Sequence, residues 1–191
     1  RPYAPTAFGS PGGDPHTIMS AAGGRVRVQD EGSQLVALAL AAAAPIRAGE
    51  RWLDLCAGPG GKTALLAAVA HDKGVLVEAN ELVPARAGLV RTALRPVPAD
   101  VVVHEEDGRE LARSLPRTFD RILVDAPCTG LGALRRRPEA RWRKSPADVA
   151  ELVPLQVELL SAAVDALVPG GIVAYVTCSP HLAETVGVVQ E

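Results

Sequence analysis

The stretch Arg51-Trp-Leu-Asp-Leu-Cys-Ala-Gly-Pro-Gly-Gly-Lys-Thr63 decides how the rest of the chain is read. Its apolar opening, ending in Leu55 and Cys56, has the character of a buried strand. Gly58, Pro59, Gly60 and Gly61 interrupt it, and Lys62 leads into an Ala- and Leu-rich run that suits a helix. A strand that breaks through glycines into a helix start leaves backbone N–H groups unpaired at the positive end of a helix dipole. Such a junction binds a polar or anionic group.

Outward from this stretch, strand and helix patterns alternate. A strand over 52–56 precedes a helix over 62–70, and a strand over 74–79 precedes a helix over Pro84–Leu94. Strands over Val101–His104 and 119–124 follow, then a basic loop over 130–144. A long helix over 146–167, stopped by Pro169-Gly-Gly171, leads to a strand over 172–177 and a last helix from about Ala183. Strands that are apolar throughout and separated by helices imply a parallel sheet covered on both faces. The expected class is α/β, doubly wound, with a mostly parallel sheet.

Composition agrees. At 191 residues and 48% hydrophobic, the chain suffices for one well-buried domain. Aromatics are 3%, so the core is expected to be aliphatic. A net charge of −2 gives no global attraction to nucleic acid or membrane, so any such affinity must be local. No apolar run approaches the ~20 residues of a membrane span. Three cysteines (Cys56, Cys128 and Cys178) are not expected to form a disulfide framework and fit a cytoplasmic protein; a monomer is expected. Residues 1–27 are expected to be an irregular arm, with 25–28 alternating like a short strand; a helix over 34–44 stops at Pro45. Residues 28–191 are then the functional domain. The chain opens without Met and stops within a helical pattern, as a piece of a longer protein would.

The opening loop does not hold a triphosphate. A P-loop has glycine five positions before the Gly-Lys-Thr, where this chain has Cys56. The dinucleotide pattern G-x-G-x-x-G is also absent, compressed to Gly58-Pro-Gly-Gly61. In doubly wound sheets ligands sit at the carboxyl ends of the strands. Glu78, sixteen residues after Lys62, is where a carboxylate accepts from a ribose diol, and Asp107 can accept from an adenine amino group. A loop for a charged tail and acids for ribose and base suit S-adenosylmethionine.

Cys128 and Cys178 each follow an apolar strand, in Asp125-Ala-Pro-Cys-Thr-Gly130 and Thr177-Cys-Ser179. Neither His104 nor His181 supplies the spacing of a metal site, so no metal is expected. Covalent chemistry explains the pair better. Cytosine C5 becomes nucleophilic when a thiolate adds to C6, and a second basic group helps remove the C5 proton afterwards. Asp125 could hydrogen-bond the pyrimidine edge.

These motifs, with Arg135-Arg-Arg-Pro-Glu-Ala-Arg-Trp142 and Gln29-Asp-Glu-Gly-Ser-Gln34, resemble the Sun/Fmu-type RNA cytosine-5 methyltransferases from about Val28 to Thr185. The bacterial small-subunit ribosomal RNA methyltransferase B branch is the most similar. The resemblance implies a Rossmann-like S-adenosylmethionine-dependent methyltransferase fold and a cytosine-5 methyltransferase acting on RNA, with ribosomal RNA the substrate expected from that branch. It implies Cys178 as nucleophile, Cys128 as the residue assisting adduct breakdown, and Asp125 beside the base. Cys56, Ala57, Gly58, Pro59, Gly60, Gly61, Lys62, Glu78, Asp107 and Asp125 would contact S-adenosylmethionine. The chain departs from the family pattern over 182–185, where Glu184 alone matches, and has Thr129 and Glu78 where the family often has Ser and Asp.

The run 135–144 carries six positive charges and one negative. Arg135, Arg136, Arg137, Arg141 and Arg143 are expected to grip RNA phosphates, with Trp142 stacking on a base or packing on the core. Two rivals remain open. An amino-group nucleic-acid methyltransferase would leave Cys178 without a role, and a non-catalytic RNA-binding fragment of the same fold would leave both thiols idle.

Overall fold

The computed structural model describes residues 4–9 and 12–191. Five parallel strands form one sheet: β1 (Arg51–Asp54), β2 (Leu76–Asn80), β3 (Val101–His104), β4 (Phe119–Asp125) and β5 (Leu167–Val176). Their spatial order is β3-β2-β1-β4-β5, so the direction of winding reverses between β1 and β4. That reversal opens a crevice at the carboxyl ends of these two strands.

Alternating side chains send β1 and β4 into two separate cores. Trp52 and Leu123 face helices α2 (Glu31–Ala42), α3 (Gly61–His71) and α4 (Pro84–Leu94). Leu53, Leu55, Ile122 and Val124 face α5 (Gly108–Ser114) and α7 (Pro146–Ala166). Alanine dominates the helix faces in both cores, which lets the helices lie close to the sheet. Trp52, Leu53, Leu123 and Val124 are fully buried. At about 25 cal/mol per Å² of apolar surface, this two-sided burial is the main stabilising term.

Several expectations are corrected. Residues 15–21 form helix α1 (Pro15–Ala21) inside the segment expected to be irregular, capped by Asp14, whose Oδ1 accepts from His16 N. Residues 25–28 make no strand; Arg27 instead donates to the Thr92 carbonyl at 2.8 Å. Helix α5 is an element that the sequence pattern does not announce, because its seven residues complete barely two turns. Pro169-Gly-Gly171 does not separate helix from strand. Helix α7 gives way at Ala166 directly to β5, whose register slips against β4 between Phe119↔Leu167 and Arg121↔Ile172. The extra residues bulge out there, with Gly170 at φ +83°.

Candidate active site at the carboxyl ends of the strands

The glycine-rich loop is shaped by close approach. At Gly60, φ is +97°, and a Cβ would lie 2.7 Å from Ala93 Cβ and 2.8 Å from Val90 Cα on α4. No side chain fits there. Ala57 N donates to the Asn80 carbonyl at 2.8 Å, tying the loop to the end of β2. Lys62, in the first turn of α3, reaches across the crevice and donates to Asp125 Oδ2 at 2.5 Å. The loop after β1 and the end of β4 are thereby joined. Cys56 lies in the same loop, where burial, then the nearby Asp54 and Asp125 carboxylates, push its thiol far up. It is an inert thiol.

Asp54 closes β1 beneath this loop. Its Oδ2 accepts from Thr63 Oγ1 at 2.7 Å, and among the described residues its Oδ1 is buried without a hydrogen-bond partner. Burial pushes its carboxyl up to about 7. Gln29 Nε2, also without a partner, lies 3.4 Å from the Cβ position of Gly61 at the start of α3. The segment before α2 therefore walls the loop, and its Asp30 forms an ion pair with Arg136.

Of the two acids expected at the strand ends, one is displaced. Glu78 lies within β2, where it accepts from Arg51 Nη2 at 2.5 Å and meets His104 Nε2 at 2.9 Å. Burial opposes its ionisation, but Arg51 and His104 outweigh this and lower it. It is a sealed ion-pair member below the rim. The acid at the rim is Glu81, which follows β2, is 5% exposed, and accepts from Gly58 N at 3.1 Å and Val83 N at 3.0 Å. Asp107 is where the sequence puts it, just after β3. It caps α5 through Arg109 N at 2.9 Å, and the Arg109 guanidinium at 2.6 Å holds its carboxyl down to about 2.

The two cysteines expected to act together do meet. Cys128 Sγ and Cys178 Sγ, carried by the turns after β4 and β5, lie 3.3 Å apart. Cys178 is exposed and Cys128 half-buried. The hydrogen bond from Cys178 stabilises a thiolate on Cys128 and draws it down to about 6, whereas the same bond raises Cys178. Their titrations are therefore linked, with the thiolate favoured on Cys128.

Glu184, in the 3₁₀ turn Leu182–Glu184, is fully buried between the two cysteine turns. Its Oε1 accepts from Thr129 N at 2.8 Å, and its Oε2 accepts from Thr129 Oγ1 and Ser179 Oγ, both at 2.5 Å. Gln156 Nε2 on α7 donates to Glu184 Oε1 at 3.1 Å and to the Pro127 carbonyl at 2.8 Å.

The basic run is a loop with a 3₁₀ turn, Leu131–Ala133, and a single helical turn, α6 (Ala140–Arg143). Gly132 N donates to the Cys178 carbonyl at 2.8 Å, which anchors the loop beside the cysteines. Arg141 lies over the Trp142 ring at 5.4 Å, and Trp142 is 83% exposed, so it does not pack on the core.

A five-stranded parallel sheet with a glycine loop after β1, acids at the ends of β2 and β3, and thiols at the ends of β4 and β5 defines a Rossmann-like methyltransferase. The chain matches the model of the 16S rRNA methyltransferase RsmB/F family over residues 41–191 and belongs to that family. The methyl donor of the family is S-adenosylmethionine. Rv1407 of Mycobacterium tuberculosis, named as a methyltransferase, is 57% identical over 99% of this chain and 40% of its own length. Ribosomal RNA small subunit methyltransferase B of Salmonella heidelberg is 41% identical over 86% of this chain and 37% of its own. The chain thus spans less than half the length of these relatives. Among solved structures, a methyltransferase homolog from Pyrococcus horikoshii superposes with a TM-score of 0.75 at 29% identity, over 93% of this chain and 55% of that one. NSun6 of the same organism gives 0.72 at 28%, over 83% and 39%.

Proposed function

We propose that this chain is the catalytic part of an enzyme that methylates C5 of a cytosine in RNA, ribosomal RNA being the substrate that the similarity to methyltransferase B favours. The observation that carries the reading is the 3.3 Å contact between Cys128 and Cys178 at the ends of adjacent strands. A methyltransferase acting on an amino group has no use for two touching thiols.

The residues fit S-adenosylmethionine, which when bound supplies an electrophilic methyl group. The partnerless Asp54 Oδ1 and the loop over 56–62 suit its charged amino-acid end. Glu81, rather than Glu78, stands where a ribose diol would be held, and Asp107 suits an adenine amino group. Asp125, anchored by Lys62, separates that region from the thiols.

Cys178, the more exposed sulfur, attacks C6 of a cytosine that is unpaired or flipped out of its helix. The Cys128 thiolate accepts the Cys178 proton as the C–S bond forms, because the two sulfurs already lie in hydrogen-bond contact. Asp125 hydrogen-bonds the pyrimidine edge while C5 gains nucleophilic character. After methylation, Cys128, having passed its proton to solvent, serves as base for the C5 proton, and the C6–Sγ bond of Cys178 breaks. Arg135, Arg137, Arg141 and Arg143 grip the backbone beside this site, and Trp142 offers a stacking face.

The test is methyl transfer from S-adenosylmethionine to ribosomal RNA, with the modified base mapped by bisulfite sequencing. Cys178→Ala abolishes transfer with donor binding intact, and Cys128→Ala accumulates a denaturant-resistant protein–RNA adduct. Transfer at the normal rate by Cys178→Ala would overturn the mechanism.

A further inference from the structure

We propose that Glu184 is a positioning residue that holds the Cys128 and Cys178 sulfurs in contact, with Gln156 seating it from α7. The inference rests on the reading of the two cysteines as a working pair, and extends it to what keeps them together.

Each cysteine sits in a turn beyond the end of its strand, where the sheet's hydrogen-bond ladder no longer fixes the backbone. The pairing of β4 with β5 extends only to Asp125↔Val176, with Ala126 N donating once more to the Val176 carbonyl at 2.9 Å. Beyond that point a second device must fix one turn against the other. Glu184 has the right connections. Of the four bonds its two oxygens accept, two come from Thr129, the residue after Cys128, and one from Ser179, the residue after Cys178. Thr129 Oγ1 and Ser179 Oγ are themselves 3.1 Å apart.

The carboxylate is seated on further supports. Gln156, fully buried, bonds both the carboxylate and the carbonyl of Pro127, the residue before Cys128. Tyr175 on β5 donates through its hydroxyl to the Glu184 carbonyl at 2.9 Å. Residues on both sides of Cys128 and one beside Cys178 therefore converge on a single side chain. Burial alone would raise its carboxyl, but the bonds from Ser179, Thr129 and Gln156 lower it, so it stays an anion able to accept all of them. A charged group fully enclosed in protein is retained only where its partners are complete. Here those partners are the two turns that carry the reactive sulfurs.

The test reads sulfur contact directly, without RNA or donor. The azo oxidant diamide takes two electrons and two protons from two adjacent thiols, leaving a disulfide and a hydrazine; Cys56 is half-buried like Cys128, and peptide mapping separates any coupling through it from the Cys128–Cys178 product. In the parent chain, rapid coupling of Cys128 with Cys178 is expected, read as a loss of two mass units on the peptides and of two titratable thiols. In Glu184→Ala and Glu184→Gln, the coupling rate should fall at least tenfold while circular dichroism keeps its parental form. Donor affinity should be unchanged, and kcat for methyl transfer should fall with KM preserved. Ser179→Ala, which removes one bond and leaves the carboxylate seated, should slow coupling to an intermediate rate and serves where the Glu184 variants do not fold. Parental coupling rates in the folded variants, or a parent whose thiols do not couple, overturn the proposal. Fast coupling together with an absence of any cytosine methylation would leave the clamp standing and sink the assigned activity instead.

Discussion

Arg121 Nε lies 3.0 Å from Glu50 Oε2 beneath the C-terminal end of α2, with the two side chains only 2% and 4% exposed. The same guanidinium donates to the carbonyls of Leu40 and Ala41 in the last turn of α2 and of Ala44 and Pro45 just beyond it, and it lies 4.9 Å over the Trp52 ring. One side chain thus fastens α2 to the centre of the sheet. Arg121→Met should destabilise by about 3–5 kcal/mol, the cost of stranding the partner of a buried pair. Urea melts would measure it, and a loss under 1 kcal/mol would contradict the assignment. Burial opposes the Glu50 charge but Arg121 and Trp52 lower its pKa, so its stabilisation is full above pH 4.5 and fades as pH falls through the lowered value. Glu50→Gln removes that part of the acid sensitivity.

Asp54 carries the opposite sign. Its folded value near 7, against an ordinary 3.8, means that the folded chain holds a proton that the unfolded chain releases. Its burden on stability is nil below pH 4, grows as pH rises to 7, and is constant above. At roughly 1.4 kcal/mol per unit, the total is of the order of a few kcal/mol. Asp54→Asn, which can still accept from Thr63, should melt higher than the parent at pH 8 and alike at pH 4. Equal melting at both pH values would show that Asp54 carries no raised pKa.

Glu81 and Glu78 can be separated by where their loss is felt. Glu81→Gln should weaken donor binding about 10- to 100-fold, the worth of charge-assisted hydrogen bonds. Glu78→Gln should leave that affinity within about twofold and instead lower the melting temperature, since it leaves Arg51 without its anion. Isothermal titration and calorimetry on the two variants decide it, and the reverse pattern would restore the assignment suggested by the sequence.

The basic loop should declare itself in salt. Arg135→Ala, Arg137→Ala and Arg143→Ala should each lower the slope of log affinity against log salt by about 0.7 per lost contact to single-stranded RNA. Trp142→Ala should weaken RNA binding with little change in melting, because its ring is not part of the core. Slopes that match the parent in all three arginine variants would remove the loop from the interface.

The sheet was legible because buried parallel strands leave a strong apolar pattern, and Pro84–Leu94 and Val101–His104 fall where the pattern ends them. Helix α5 was not, because seven residues beginning at a glycine carry too little periodicity. The site divides the same way. Cys128 and Cys178 could be paired from the sequence since each follows a strand whose neighbour is determined by topology. Glu78 was expected at the rim, where Glu81 stands, because the strand was expected to end too early: an acid inside a strand and an acid three residues on look alike until register fixes which reaches the rim. Gln156 gave no sign in sequence, and Gln29 and Asp54 showed only as members of longer motifs, because what they face across the fold is set by packing.

On the proposed function, the order β3-β2-β1-β4-β5 divides the site at the sheet's point of reversal. On one side of the reversal lie the loop and acids suited to a donor, and on the other lie the thiols and the cationic loop suited to an acceptor. Lys62 and Asp125 form a bridge between the two territories. A descendant of this chain could therefore exchange the ends of β4 and β5 for a different acceptor chemistry while inheriting its donor half intact, so long as that bridge was kept.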